Sequence, residues 1–118
     1  MKRAQLVIIT LIFFIAGTLA AQTVITTDSV SSYMGKQATV KGFVSQVTIT
    51  KGGMVYINLD GKYPFTKLTG VIFKEDISKF GNVKQYELHD IELTGTIEEY
   101  KEKPQIVLKN PEQLKIAD

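Results

Sequence analysis

Val40-Lys41-Gly42-Phe43-Val44 and Leu93-Thr94-Gly95-Thr96-Ile97 are the two stretches on which the reading of this chain turns. They share one spacing: apolar, polar, glycine, any residue, apolar. Apolar residues two apart put their side chains on one face of an extended strand, so both stretches read as half-buried strands. A glycine inside a strand gives up packing and costs backbone entropy, and so marks a bulge or a sharp bend. Two such bends, in separate strands, suit a small sheet that coils until it closes.

Outward from the first stretch, the strand runs from Ala38 through Val47 and Ile49 to a turn at Lys51-Gly52-Gly53. The second strand, Met54 to Asp60, has Val55, Ile57 and Leu59 on one side and Met54, Tyr56, Asn58 and Asp60 on the other. Asp60-Gly61 breaks it, and the polar, aromatic loop Lys62-Tyr63-Pro64-Phe65-Thr66-Lys67 follows. A third strand, Leu68 to Lys74, is apolar on both sides, and one helical turn is expected from Glu75 to Phe80, ending at Gly81. The second stretch belongs to a fourth strand, Asp90 to Tyr100. A turn through Lys101 to Lys103 leads into the fifth, Pro104 to Lys109. Pro111 then opens a closing turn whose Leu114 and Ile116 are expected to cap an end of the core.

Ahead of the first strand, Thr27 to Met34 predicts a helix of two turns. Thr27 or Asp28 can accept a bond from an orphan amide, Val30, Tyr33 and Met34 share a face, and Gly35 supplies the left-handed residue that ends it.

An all-β chain with five strands in this order and a short N-terminal helix resembles the OB-fold, a small five-stranded Greek-key barrel. The resemblance is to OB-fold domains of the nucleic-acid-binding, tRNA-anticodon-domain-like class. It is carried by Tyr33-Met34-Gly35-Lys36 before Val40-Lys41-Gly42, by Tyr56-Ile57-Asn58-Leu59, by Gly70-Val71-Ile72-Phe73 and by Leu93-Thr94-Gly95-Thr96-Ile97. Its most specific part runs from Tyr100 through Pro104-Gln105-Ile106-Val107-Leu108 to Pro111. It makes residues 21–118 a single domain.

The resemblance also implies that Leu68, Gly70 and Ile72 face inward and Thr69, Val71 and Phe73 outward. Ligand then lies across the outer face of strands two and three and the loops beside it. That surface gathers Tyr56, Asn58 and Thr69, with Lys51 in the first loop and Lys62, Tyr63 and Lys67 in the second. Tyr100, Lys101 and Lys103 come from the loop between strands four and five. Lysines among aromatic rings are what a single-strand groove uses, charge for phosphates and rings for stacked bases. Single-stranded nucleic acid is the ligand the resemblance implies, and an envelope protein or glycan is the competing partner. The plainer alternative is that Tyr56 and Phe73 pack under the helix or a loop while the lysines keep the surface soluble.

The ends and the composition narrow the classes further. Lys2 and Arg3, the apolar run Leu6 to Ala16 and the small residues around Gly17 to Ala21 read as an export signal over residues 1–20. The apolar run is shorter than the roughly 20 residues a spanning helix needs, which argues against a retained anchor. The protein is therefore expected in the periplasm or the medium. Of 14 basic and 12 acidic residues, Lys2 and Arg3 leave with the signal, so 12 lysines face 12 acids and no arginine remains. A chain with no net charge has no general field for nucleic acid or anionic lipid, and any anion site must be local. Cysteine is absent, which excludes disulfides, a lipid-modified cysteine and thiolate chemistry.

Catalysis has little to start from. His89, the only histidine, sits beside Asp90 with no nucleophile or second ligand nearby. Glu98 and Glu99 are neighbours in a strand and point to opposite faces, and Glu92 is on the outer side. Glu75 and Asp76 read as a solvated pair. The sequence thus points to a binding module with no enzyme activity, cofactor or metal.

Overall fold

The computed structural model describes residues 23–118, so the export signal read at 1–20 lies outside the described residues. The chain is mostly β. Its strands are β1 (Val24–Thr26), β2 (Gln37–Ile49), β3 (Val55–Leu59), β4 (Leu68–Ile72), β5 (Asp90–Thr96), β6 (Glu98–Tyr100), β7 (Lys103–Val107) and β8 (Leu114–Ile116). Short 3-10 helices cover Thr27–Tyr33, Lys74–Lys79, Val83–Tyr86 and Pro111–Gln113. The strands form one sheet in the order β6-β7-β4-β3-β2-β5-β8, with β1 pairing beside β2 off that path. The β1–β2 and β4–β7 pairs are parallel, and the other pairs are antiparallel.

The all-β class is as expected, and the ladders pair eight strands in an open order where five strands are expected. Two differences have physical causes. The expected fourth strand is cut at Ile97, whose backbone leaves the ladder to bond the chain entering β2. Ile97 N–H donates to Lys36 O at 3.0 Å, and Ile97 O accepts from Gly35 N–H at 2.6 Å. The other difference is β1 and β8, which are three residues each and too short to carry a period-two signal.

The apolar faces are buried as read, and Thr39 and Asn58 on the opposite faces are buried as well. Val40, Val44, Val55, Ile57, Leu59, Leu68, Ile72, Ile91, Leu93 and Ile97 are fully buried in one core, joined by Ile106 and Leu108. Val71, expected to face outward, is only 2% exposed, because β4 runs between β3 and β7. Ile116 does not cap the core; it is exposed, while Leu114 is buried.

Gly42 and Gly95 do not sit at bulges. The β2–β5 register runs unbroken from Gln37 opposite Thr96 to Phe43 opposite Asp90 and passes through both. The bulge is further along, where β2 advances from Val44 to Gln46 while β3 steps back only from Leu59 to Asn58. Ser45 is the extra residue, and the buried positions change phase there from Val44 to Val47.

The expected helix is a 3-10 helix over Thr27–Tyr33, and no side chain caps its start. Thr27 Oγ1 instead donates to Asp60 Oδ2 at 2.6 Å, tying this segment to the end of β3. Gly35 has φ +82°, the left-handed residue expected after it.

Candidate nucleic-acid interface

Directly opposed residues on neighbouring strands share a face, so the register assembles the site. Gln46, Asn58, Thr69 and Gln105 lie in one row across β2, β3, β4 and β7. Thr48 and Tyr56 lie beside them in the next row. Together they floor a groove of about 660 Å3 whose walls are Tyr63 and Thr66 on one side and Tyr100, Lys101, Lys103 and Pro104 on the other.

The floor is hydrogen-bonded into one unit. Thr69 Oγ1 donates to Asn58 Oδ1 at 3.0 Å, and Asn58 Nδ2 donates to Gln46 Oε1 at 2.9 Å. Gln46 Oε1 also accepts from Tyr63 N–H at 3.1 Å, which fastens the aromatic loop to β2. Across the mouth, Lys103 Nζ donates to Pro64 O at 2.9 Å and links the two walls. The Lys101 ammonium stands 5.4 Å from the centre of the Tyr100 ring. Tyr63 is 73% exposed and Tyr100 56%, so both rings are free to meet a ligand. Among the described residues no carboxylate lines the groove.

Of the residues singled out in the sequence, Tyr56, Asn58, Thr69, Tyr63, Tyr100, Lys101 and Lys103 come together here. Asn58 is itself buried, so it serves through its bonds rather than through exposed surface. Three lysines are placed elsewhere. Lys51 is exposed in the turn after β2 and does not line the groove. Lys62 faces a neighbouring groove. Lys67 Nζ donates to Asp28 Oδ1 at 2.9 Å, and this bond raises its pKa above the usual lysine value. Gln46, Thr48, Thr66, Pro104 and Gln105 were not anticipated as lining. Gln46 and Thr48 carried a signal in the residues after the bulge, where β2 changes the face it shows.

The candidate catalytic groups do not converge. His89 Nδ1 is 2.9 Å from Asp118 Oδ2, so its partner is the last residue and not the adjacent Asp90. Asp76 pairs with Lys79 at 2.9 Å, and Glu98 and Glu99 are exposed. Among the described residues no group of three or more His, Asp or Glu side chains is placed to hold a metal ion.

Two carboxyls give the chain an acid-side pH dependence. Glu87 is held below its ordinary 4.5, first by the Val47 N–H bond and then by the charges of Lys84 and Lys62, against a desolvation that opposes it. Asp118 is held below 3.8 chiefly by its bond to His89. A carboxyl with a depressed folded pKa stabilises fully above its unfolded value, and that contribution disappears as pH falls through the folded one. The melting temperature is therefore expected to fall as pH drops from about 4.5. Glu87→Gln, which keeps an acceptor for Val47 but no charge, is expected to flatten the decline; parallel melting curves for both proteins between neutral pH and pH 3 would count against this.

No family model matches the sequence, and no curated protein matches it either. Solved structures do match in fold. A protein described as an aspartyl-tRNA synthetase of Leishmania major superposes with a TM-score of 0.54 at 10% identity, over 86% of this chain and 22% of its own. An asparaginyl-tRNA synthetase of Entamoeba histolytica superposes with a TM-score of 0.55 at 18% identity, over 82% of this chain and 24% of its own. The chain thus spans about a quarter or less of the length of these proteins, and at such identities the likeness is one of fold.

Proposed function

We propose that the domain is an OB-fold binding module which takes an extended single-stranded nucleic acid across the groove and catalyses no reaction. The observation that carries this reading is the lining. Three tyrosines and two lysines surround a floor of amides and hydroxyls, with no carboxylate among them. Rings stack bases, lysines meet phosphates, and amides bond base edges, which is the division of labour in single-strand grooves. The fold shared with two aminoacyl-tRNA synthetases supports it, since those proteins act with RNA.

The ladder order supports the barrel form. β5 and β6 are one strand interrupted at Ile97; its first half pairs with β2 and its second half with β7. The path β2-β3-β4-β7-β6 therefore leads back to the strand that β2 already holds, a ring with a single break.

A second reading is favoured by the absence of net charge over residues 21–118: an envelope protein or glycan occupies the groove, its amides and tyrosines meeting hydroxyls instead of bases. An anisotropy titration of labelled oligodeoxythymidylate at about 50 mM salt separates the two, because electrostatic help is greatest there. Saturable binding is expected, and its absence would leave the protein or glycan as occupant.

The reading includes export, with residues 1–20 as a cleaved signal. Protein recovered from periplasm or medium is expected to begin at Ala21 or Gln22 by intact mass. A mass that retains Met1 to Ala20 would mean an anchored protein.

A further inference from the structure

The second groove lies along an edge that its own sheet does not fill. β5 covers β2 only from Gln37 to Phe43. Just past it, Val44 bonds the chain entering β5, with Val44 N–H donating to His89 O and Leu88 N–H donating to Val44 O, both at 2.9 Å. At Val47 no strand remains, and two side chains stand in its place. Val47 N–H donates to Glu87 Oε2 at 2.9 Å, and Lys84 Nζ donates to Val47 O at 2.8 Å. These are the two bonds a neighbouring strand would make to that residue. Because strand groups alternate in direction, Ile49, two residues on, turns its own N–H and C=O to the same edge.

Beside this edge runs a groove of about 640 Å3 lined by residues 45–49 and by Lys62, Lys84, Glu87 and Leu88. Its apolar contacts are unusually open: Leu88 is 68% exposed and Ile49 53%. The five residues of β2 offer the length of a short added strand.

We propose that the edge of β2 over residues 45–49 is a strand-addition site for an extended acidic peptide segment of a partner protein. Glu87 indicates the chemistry of the occupant. Its carboxylate rests on Val47 N–H, 3.6 Å from the Lys84 ammonium and within the field of Lys62. A partner strand that swings Glu87 aside bonds Val47 and Ile49 with its main chain. One of its own carboxylates then takes the position between Lys62 and Lys84, and its alternate apolar residues meet Ile49 and Leu88. Glu87 and Lys84 act as a displaceable plug, which also keeps the free edge from pairing indiscriminately.

The test uses two fluorescein-labelled probes, Val-Glu-Val-Glu-Val-Glu and its lysine counterpart, titrated by anisotropy against the full chain. Glu87→Ala removes the resident carboxylate and is expected to bind the glutamate peptide about tenfold more tightly than the unaltered protein. The lysine peptide is expected not to bind either protein. Ile49→Pro deletes an edge donor that the β3 ladder does not use, so it is expected to abolish peptide binding while leaving the thermal melt in place. Lys62→Ala is expected to weaken binding of the glutamate peptide without touching the edge. Equal binding of the two peptides, no gain in Glu87→Ala, or unchanged binding in a folded Ile49→Pro would each overturn the proposal. Self-association of Glu87→Ala on gel filtration would overturn it too, by assigning the edge to a second copy of the chain.

Discussion

Gly95→Val is expected to cost about 2–4 kcal/mol of folding stability, near the upper end for single substitutions. For a domain of this size that lowers the melting temperature by roughly 10–30 °C. The cause is contact, not backbone conformation. A Cβ built on Gly95 would lie 2.7 Å from Ile106 Cγ2 and 3.2 Å from Gln113 Nε2. Ile106 is fully buried, so its methyl has no free space to move into. Gln113 is equally committed, since Nε2 donates to Thr94 O at 2.9 Å and to Val107 O at 3.1 Å. Either β7 shifts away from β5 or the clamp at the C-terminal turn opens. The same change at Gly42 is expected to cost less, toward the lower end of the range. There the closest atoms are Thr27 Cγ2 at 3.0 Å and Asp60 Oδ2 and Leu59 Cδ1 at 3.1 Å. Relief at Gly42 requires turning Thr27, which its bond to Asp60 resists. Denaturant melts of both variants check the ranking. A Gly95→Val protein melting within a degree or two of the unaltered chain would mean that β5 and β7 are not packed this closely.

These two glycines also show how far the residues alone carry the reading. Their spacing identified both strands, and the buried partners Val40, Val44, Leu93 and Ile97 are where the alternation puts them. No bulge sits at either glycine, and a strand glycine serves a close approach as well as a bend; the neighbours across the sheet show the close approach at both. Ile106 is eleven residues from Gly95 in sequence, in a strand whose register no local pattern gives. The bulge at Ser45 was visible as the three-residue step from Val44 to Val47, a break in a period of two. Long-range polar contacts left no such trace. Lys67 is drawn to Asp28 across 39 positions, and Lys84 to Val47 across 37. Tyr56, Asn58, Thr69, Tyr63, Tyr100, Lys101 and Lys103 share one groove through strand parity and the loop positions that the OB-fold resemblance implies, whereas Lys51, Lys62 and Lys67 do not line it. Gln46 becomes legible only once the step from Val44 to Val47 is taken as a bulge, after which it shares a face with Thr48.

Tyr56→Ala is expected to weaken binding of a single-stranded oligonucleotide by about 1–3 kcal/mol, the contribution of one stacked base. Its effect should be the same at every salt concentration, since a ring face releases no counterions. Charge behaves in the opposite way. Lys101 and Lys103 are the lysines that line the groove, with Lys62 in the groove beside it, so only two or three phosphates can be neutralised. At about 0.7 counterions per phosphate for single strands, log affinity should fall against log salt with a slope of roughly −1.4 to −2.1. Lys101→Glu is the cleaner probe of this term, because Lys103 also holds the loop through Pro64 O and its loss would move Tyr63 as well. It is expected to make the slope shallower and to weaken binding most at low salt. Lys67→Ala, with its ammonium bound to Asp28, is expected to change neither quantity. The two effects together identify the ligand's route. A slope far steeper than two lysines can supply would place the strand on another surface, whatever its affinity. A Tyr56→Ala protein that binds as tightly as the original would take the bases off the β3 face, and the groove would then belong to a ligand without rings to stack.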